Sequence, residues 1–275
     1  MTRTIAIDDE LLLAIEQHET HAHALPSREV RDLGDSLVLH DPRDPDPFWN
    51  RMVSVRWPDD DAAFEHRLNE ALALFALLRR SAHVWPSPVH SRPADLVARL
   101  MRHGFRDVGG GHVMVLGDPA STPPVGPSEL PRATTMVAIG RSDDAGGSDL
   151  EDIGLVLAES FGAPAWRAPG LAADLGATLD DPRVLLVLAR VDGEPAAVAK
   201  ATTFDGLTYL SSIGTREAFR GRGLGRLVTR QAIAVAARDS RLAYLGVWSG
   251  NAPALRVYGA LGFASIGEAP DLLLE

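Results

Sequence analysis

The sequence lacks cysteine and contains a single lysine, Lys200, among 27 basic residues. Without cysteine the chain has no disulfide bond, no thiolate zinc site and no cysteine nucleophile. A P-loop requires a lysine directly after its glycine-rich turn, and Lys200 does not follow such a turn, so nucleoside triphosphate hydrolysis is not expected. Histidine is absent after His112. A catalytic histidine would therefore have to come from the N-terminal half.

Long apolar segments are also absent. The longest apolar run, Ala71 to Leu78, is far shorter than the roughly 20 residues that a membrane-spanning helix needs. The first residues, Met1 to Glu16, lack the basic, apolar and cleavable regions of a signal peptide. We therefore expect a soluble cytoplasmic protein that does not act at a membrane.

Length and proline content predict how the chain divides. A chain of 275 residues suggests two domains of ordinary size. Five prolines fall within residues 118–133, and proline favours extended backbone over helix. We expect a first domain at residues 1–118, a proline-rich linker at 119–133 and a second domain at 134–275.

A glycine-rich segment, RGRGLG at residues 220–225, is the most informative stretch of the chain. It stands between an apolar strand pattern (Leu207 to Thr215) and an amphipathic helix pattern (Leu224 to Arg238). The first N–H groups of a helix have no partner within the helix, and the helix dipole adds positive potential there. Glycines allow the backbone to approach a bulky anion. The segment therefore predicts a site for a phosphate or pyrophosphate.

The glycine spacing argues against a dinucleotide-binding fingerprint. That fingerprint is G-x-G-x-x-G, followed about 20 residues later by an acidic residue at the end of a second strand. Here Gly221, Gly223 and Gly225 follow G-x-G-x-G, and Asp239 falls in the last turn of the expected helix. The phosphate ligand is therefore expected to be of another kind.

A cluster of arginines accompanies this segment, although the formal net charge of the chain is −10. Only Glu217 opposes the cluster, which consists of Arg216, Arg220, Arg222, Arg226 and Arg230. Guanidinium groups bind phosphate in a forked geometry, so the cluster suits a polyanionic ligand, while a solvated helix face is the alternative reading. One short patch in so acidic a chain lacks the broad basic surface that nucleic acid requires.

Two motifs in this order resemble the GNAT superfamily of N-acetyltransferases. The pattern R-x-x-G-x-G, formed by Arg220, Gly223 and Gly225, resembles the acetyl-CoA signature of that superfamily. The later segment NAPALRVYGALGF, residues 251–263, looks like its subsequent helix with a terminal Gly-Phe. The resemblance covers residues 134–275 and implies an α/β (α+β) fold, with a mixed, mostly antiparallel sheet flanked by helices.

Hydrophobic patterns along residues 134–275 agree with the GNAT element order β-α-α-β-β-β-α-β-α-β. We expect helices ending near Gly162, at Leu171–Leu179, from Leu224 and from Asn251. We expect strands at Met136–Gly140, Val184–Val191, Ala196–Phe204, Leu207–Thr215, Leu242–Trp248 and Ala264–Glu275.

The resemblance also implies how acetyl-CoA is bound. Its pantetheine arm would pair with the backbone of Ile213, Gly214 and Thr215. Its pyrophosphate would accept hydrogen bonds from the main-chain N–H groups of Gly221, Arg222, Gly223, Leu224, Gly225 and Arg226, with Arg220 adjoining. Asn251 would contact the cofactor or simply cap its own helix. No metal is implied.

The implied chemistry is direct attack of an amine on the thioester carbonyl, with a backbone N–H near Ile213 stabilising the oxyanion. Tyr258 matches the family's tyrosine, which protonates the leaving thiolate, and a phenol pKa of about 10 suits that role. Ser211 and Ser212 stand where some relatives carry a carboxylate. The general base is therefore open between Glu159, a water relay and a histidine of the N-terminal half.

The N-terminal half contains an echo of the same pattern. Ala82–Trp85, Pro93–Leu100 and Gly104-Phe105 repeat the order of strand, helix and Gly-Phe, which suggests an internal repeat. The preceding stretch, residues 59–80, is acidic and free of glycine. We expect a degenerate GNAT-like domain without the CoA motif, which shapes the acceptor site or an interface.

Three histidines, His18, His21 and His23, lie close together in the sequence HETHAH. Their spacing does not place all three on one face of a helix. We expect solvent-facing or loop histidines and no metal site.

Taken together, these features predict an N-acetyltransferase that moves an acetyl group from acetyl-CoA to a primary amine of a small molecule or peptide. The alternative is a non-catalytic module in which acyl-CoA governs association with a partner. Residues 161–166 (FGAPAW) stand where relatives form the acceptor pocket. Their aromatics favour a partly apolar acceptor, and core packing would explain them equally well. The acyl chain and a homodimer are left open.

Overall fold

The computed structural model describes residues 8–88, 91–140, 146 and 148–275. The α-helices are α1 (Asp9–Ala24), α2 (Asp61–Leu78), α3 (Leu96–Arg102), α4 (Asp149–Ser160), α5 (Ala168–Thr178), α6 (Leu224–Ala236) and α7 (Ala252–Ala260). The strands are β1 (Glu29–Asp32), β2 (Leu37–His40), β3 (Arg51–Val53), β4 (Ala82–Val84), β5 (Arg106–Asp107), β6 (Gly111–Gly117), β7 (Thr134–Ile139), β8 (Val184–Val191), β9 (Glu194–Phe204), β10 (Leu207–Thr215), β11 (Leu242–Trp248), β12 (Ala264–Ala269) and β13 (Leu272–Leu274).

The strands form two mixed, mostly antiparallel sheets. One has seven strands in the order β12-β6-β11-β10-β9-β8-β7, and the other has six in the order β1-β2-β3-β4-β13-β5. The pairs β10–β11 and β3–β4 are parallel. With helices beside both sheets, the architecture confirms the α/β (α+β) fold that the sequence predicts.

The chain divides into two compact units, each of which is made of segments that are not continuous in sequence. The first unit contains Val115–Leu245 and Arg256–Ala264. The second contains the described residues up to Met114 together with Gly246–Leu255 and Ser265–Glu275. This division differs from the expected boundaries, because parts of the segment 134–275 group with N-terminal residues.

The expectation of one closing strand at Ala264–Glu275 was wrong. Two separate strands are present: β12 lies in the seven-stranded sheet, and β13 pairs antiparallel with β4 and β5. Pro270 stands between them, and proline has no N–H to continue a ladder. Strand partners far apart in sequence are set by tertiary pairing, which the local pattern does not reveal.

In the first unit, local sequence accounts for most elements. The turn between β8 and β9 has Asp192 at φ +53° and Gly193 at φ +82°. Two successive positive φ values are typical of the tight hairpin turn that an Asp-Gly pair favours. Helix α6 packs against β8, β9 and β10. Its buried side chains recur at helical spacing, as expected for one apolar face: Leu224, Leu227, Val228, Ala232 and Ile233.

The second unit has a hydrophobic core of its own, in which α2 and α3 contribute Phe64, Leu68, Leu96 and Leu100. Helix α1 precedes the six-stranded sheet in sequence and carries the three clustered histidines. His18 and His23 are buried and only His21 is exposed, so the expectation of solvent-facing or loop histidines was wrong for two of the three. Within the described residues no group of side chains has the composition of a metal site.

The two segments that the sequence pairs as a repeat end in similar hydrogen-bonded turns. Gly104 and Gly262 follow α3 and α7 with φ of +92° and +93°. Phe105 N donates to Leu100 O at 3.2 Å, and Phe263 N donates to Tyr258 O at 3.0 Å. Both helices therefore end in the same left-handed glycine turn. Leu100 occupies the position that corresponds to Tyr258.

None of the helices in the described part of the chain is long and apolar enough to span a membrane.

Candidate functional site

Strand β10 contains an irregularity that the sequence did not predict. Its ladder with β9 runs to Ser211 and resumes at Gly214, so Ser212 and Ile213 form a bulge. Ser212 has φ of +50°, an uncommon conformation for a residue other than glycine. The register with β11 covers only Leu207–Tyr209. The end of β10 is therefore paired along β9 and is irregular where the sequence placed the pantetheine contacts.

The glycine-rich segment leads into a helix whose N-terminus is not capped by a side chain. Gly223 is the N-cap of α6, with φ of +77° and no side-chain hydrogen bond to the helix. Gly221 also has a positive φ, +76°. A Cβ built on either glycine would meet no atom within 4 Å. Glycine is needed at both positions for backbone conformation, and the space in front of both is open.

The main-chain N–H groups of this segment are not used in hydrogen bonds among the described residues. The first intrahelical bond of α6 runs from Leu227 N to Gly223 O at 3.1 Å. Within the described part of the chain, no acceptor is bonded to the six amides before it, which are those of Gly221, Arg222, Gly223, Leu224, Gly225 and Arg226. Free amides at a helix N-terminus form an anion-binding site.

Two further glycines are required by close packing. A Cβ on Gly225 would lie 3.2 Å from Thr215 Oγ1, so the first turn of α6 approaches the end of β10 closely. A Cβ on Gly214 would lie 2.7 Å from Ser160 Oγ at the end of α4. The ends of α4 and β10 and the start of α6 therefore meet around Gly214 and Thr215.

The arginine cluster is divided between two roles. Arg216 Nε donates to Glu159 Oε2 at 2.7 Å, and Arg230 Nη2 donates to Glu129 Oε1 at 2.6 Å. These two charges are neutralised within the protein. The remaining three arginines, Arg220, Arg222 and Arg226, are exposed and have no carboxylate partner among the described residues, although Arg220 and Arg222 each donate to a backbone carbonyl.

The Arg230–Glu129 pair also holds the proline-rich segment onto α6. Val125 N donates to Gln231 Oε1 at 2.9 Å in the same region. Glu129 in addition accepts from Gly126 N at 2.9 Å, and the two bonds to Glu129 lower its pKa, Arg230 contributing most. Residues 119–133 are thus attached to α6 rather than free of contacts. Sequence analysis missed this because both partners lie far apart in the chain.

Glu159 has contacts that differ from those of a general base. Its Oε1 accepts a hydrogen bond from Glu217 N at 2.9 Å, in addition to the bond from Arg216 to Oε2. The Arg216 guanidinium beside it, aided by the Glu217 N–H, lowers the pKa of Glu159 below its usual value. A carboxylate that prefers its ionised form this strongly accepts a proton poorly at neutral pH.

Tyr258 lies on α7 with its ring buried against Phe263, at 6.1 Å between ring centroids. Burial raises the pKa of the Tyr258 hydroxyl to about 12. No hydrogen-bond partner for this hydroxyl occurs among the residues that the structure describes. The phenol therefore keeps its proton at neutral pH, and its donor capacity is unused.

Asn251 is bound to its own helix. Its Oδ1 accepts a hydrogen bond from Ala254 N at 3.2 Å, and Leu255 N donates to Asn251 O at 3.0 Å. These are the bonds of an N-cap residue. The cap accounts for asparagine at this position.

The two aromatics of residues 161–166 are exposed rather than packed in the core. Phe161 is 65% exposed and Trp166 is 77% exposed. Arg167 lies beside Trp166, with its guanidinium carbon 5.9 Å from the ring centroid. The apolar surface that the sequence suggested therefore faces outward.

The second unit offers an instructive contrast at the start of α2. The N-cap of α2 is Asp60, whose Oδ1 accepts a hydrogen bond from Ala63 N at 2.9 Å. A carboxylate thus stands where an anion would have to bind, and it repels phosphate. The N-cap of α6 is Gly223 and that of α2 is Asp60, so of these two helices α6 is the one whose N-terminus has no side-chain cap and no carboxylate.

A bulged strand beside a glycine-rich helix N-terminus, in a mixed sheet flanked by helices, is the arrangement expected of the acyltransferase class. Residues 154–263 match the model of the Acetyltransferase (GNAT) family. The match covers this region of the chain and supports acyl transfer as its general class of reaction.

Solved structures of low sequence identity share the fold over nearly the whole chain. A GCN5-related N-acetyltransferase from Kribbella flavida is 23% identical, with a TM-score of 0.71 over 96% of this chain and 95% of that one. A GCN5-related N-acetyltransferase from Sphaerobacter thermophilus is 17% identical, with a TM-score of 0.64 over 93% and 84%.

A tandem GNAT protein from the clavulanic acid biosynthesis pathway is also 17% identical, with a TM-score of 0.64 over 99% of this chain and 97% of that one. This similarity extends the shared fold to nearly the full length of both chains. No match was found among curated proteins.

Proposed function

We propose that the protein transfers the acetyl group of acetyl-CoA to a primary amine of a small molecule or peptide. The observation that carries this proposal is that the amides from Gly221 to Arg226, at the start of α6, have no acceptor among the described residues. They follow a bulged strand in a region that matches the GNAT family model.

The diphosphate of CoA suits this segment in shape and charge. The space in front of Gly221 and Gly223 is open, and the exposed Arg220, Arg222 and Arg226 add positive charge. By analogy with the superfamily, the pantetheine arm pairs with the backbone of residues 213–215. Asn251 caps α7. We also propose that it contacts CoA directly.

The reaction forms a C–N bond to the acceptor amine and breaks the C–S bond of the thioester. The backbone N–H of Ile213, in the bulge, stabilises the oxyanion of the tetrahedral intermediate. The Tyr258 hydroxyl donates its hydrogen bond to the departing sulfur. Because its pKa is about 12, this hydroxyl stays protonated throughout the working pH range. It gives its proton to the sulfur as the C–S bond breaks and regains a proton from solvent water before the next turnover.

The proton of the attacking amine requires a different acceptor from Glu159. Both oxygens of that carboxylate are already bonded to donors, and its pKa is lowered. A water relay to solvent is consistent with these contacts. Tyr258 is therefore the one catalytic side chain in this proposal.

We further propose that residues 1–118 form a degenerate GNAT-like domain that does not bind CoA. Asp60 caps the helix that corresponds to α6, and Leu100 replaces Tyr258 at the end of the repeated helix. The described residues of the N-terminal copy thus lack both the phosphate site and a hydroxyl that could donate a proton at the position of Tyr258.

The test is thiol release from acetyl-CoA with the purified protein and a panel of primary amines. Since the chain contains no cysteine, a thiol reagent detects only the free CoA that the reaction produces. We expect acceptor-dependent thiol release that stops when acetyl-CoA is omitted. Tight CoA binding without turnover for any amine would instead support the non-catalytic acyl-CoA module.

A further inference from the structure

The C-terminal end of α4 holds the turn that leads into the glycine-rich segment. Glu159 Oε2 accepts from Arg216 Nε at 2.7 Å, and Glu159 Oε1 accepts from Glu217 N at 2.9 Å. Both donors belong to the few residues between the end of β10 and Arg220. One carboxylate therefore uses both oxygens to fix this turn.

The residue after Glu159 supports the strand that precedes the turn. Ser160 Oγ lies 2.7 Å from the position of a Cβ on Gly214, so α4 rests directly on β10 just beyond its bulge. Two consecutive residues of α4 thus contact residues 214–217 from one side. The bulge and the turn are held by the same helix end.

Arg216 is fixed by β9 as well as by Glu159. Arg216 Nη1 donates to Pro195 O at 2.9 Å, and Arg216 N donates to Ala196 O at 3.0 Å. Its guanidinium therefore connects a neighbouring strand to α4. Hydrogen bonds between ionised partners are stronger than neutral ones, so this connection restricts the backbone of the turn.

We propose that Glu159 is a positioning residue, which holds the Arg216–Phe219 turn so that the amides of residues 221–226 converge on the diphosphate of CoA. This inference rests on the proposed function and gives Glu159 a role other than general base. Without the carboxylate, the segment samples conformations in which the amides diverge. The apparent dissociation constant then rises in inverse proportion to the fraction of molecules that remain competent to bind.

The experiment compares Glu159→Ala and Glu159→Gln with a matched control, Asp181→Ala. Asp181 Oδ1 accepts from Arg183 N at 2.9 Å and from Arg183 Nε at 2.8 Å, and Asp181 Oδ2 accepts from Arg183 Nη2 at 2.5 Å. One carboxylate again binds one guanidinium and one backbone amide. It lies in the turn before β8, outside the glycine-rich segment. The control thus removes an equivalent ion pair elsewhere in the same unit.

Three quantities are measured for each protein: the dissociation constant of CoA, kcat at saturating acetyl-CoA, and the pH dependence of kcat/KM. We expect Glu159→Ala to weaken CoA binding about tenfold, as when about a tenth of the molecules stay competent, and to retain kcat within about twofold. Glu159→Gln keeps one acceptor oxygen and should restore part of the affinity. Asp181→Ala should bind CoA like the wild type.

The pH profile separates positioning from proton transfer. The lowered pKa keeps Glu159 ionised through the neutral range, so its hold on the turn is lost only as pH falls through that lowered pKa. The pH profiles of kcat/KM for wild type and Glu159→Gln should therefore fall in the same way as pH decreases below neutrality. A loss of that limb, together with a roughly 10²-fold fall in kcat, would identify a base and overturn the proposal. Unchanged CoA affinity in Glu159→Ala would also overturn it.

Failure of the proposed function itself has a different signature. If the wild-type protein binds CoA but acetylates no amine, the proposed function fails, while the comparison of dissociation constants still tests the role of Glu159. If it binds no CoA, that comparison has no starting value. Amide hydrogen exchange without CoA then decides the positioning role alone: exchange at residues 217–226 should be faster in Glu159→Ala than in wild type and Asp181→Ala. Equal exchange in all three proteins would refute it.

Discussion

The sharpest test of the phosphate site is a bulky side chain at Gly223. Gly223 has φ of +77°, and a Cβ built on it meets no atom within 4 Å. A leucine there would therefore fit sterically within the protein, but it would have to adopt a left-handed conformation. That strain costs roughly 1–2 kcal/mol, which corresponds to a fall in Tm of about 2–8 °C for a chain of this size.

The hairpin turn provides a variant with the same strain. Gly193 has φ of +82°, is exposed, and likewise has no atom within 4 Å of a built Cβ. Gly193→Leu should therefore lower Tm about as much as Gly223→Leu. The two variants differ in that only residue 223 belongs to the segment with unbonded amides.

Calorimetric melting with and without CoA distinguishes the two variants. A ligand present at 100 times its dissociation constant stabilises the folded state by about 2.7 kcal/mol, or roughly 5–11 °C in Tm. We expect this increase for the wild type and for Gly193→Leu. Gly223→Leu should show little or none, because its side chain occupies the space before the amides. An equal CoA-induced increase in both variants would refute the assignment of the diphosphate to this segment.

Three other substitutions test separate steps of the argument. Tyr258→Phe should lower kcat roughly 10²-fold while leaving CoA affinity and Tm nearly unchanged, because the hydroxyl has no hydrogen-bond partner among the described residues; wild-type kcat would dismiss its role as an acid. Gly214→Ala should lower the free energy of unfolding by about 1–3 kcal/mol, because the added methyl group overpacks against Ser160. Adding Ser160→Gly should recover most of the lost Tm. An unchanged Tm in Gly214→Ala would contradict that contact. Asp60→Ala should lower the free energy of unfolding, measured with urea, by about 1 kcal/mol, because α2 loses its N-cap. The CoA-induced shift of Tm should not change.

Local sequence determined the elements whose cause is local. The Asp192-Gly193 turn, the amphipathic face of α6 and the glycine turn at Gly262 each depend on residues only a few positions apart. The same holds for Gly221 and Gly223, because the ability to adopt a positive φ without steric cost is a property of glycine itself. For this reason the sequence predicted the fold class and the glycine-rich segment. The roles assigned to residues of that segment stay predictions until ligand binding is measured.

Only the tertiary structure decided how distant residues are paired. It placed β13 beside β4 and β5, and it bound Glu159 to Arg216 and Glu217. Nothing in the local pattern around Glu159 distinguishes a carboxylate held by a guanidinium from one free to accept a proton. The pKa of a side chain depends on the groups that folding brings within hydrogen-bonding distance, and the neighbours of a residue in sequence do not identify those groups.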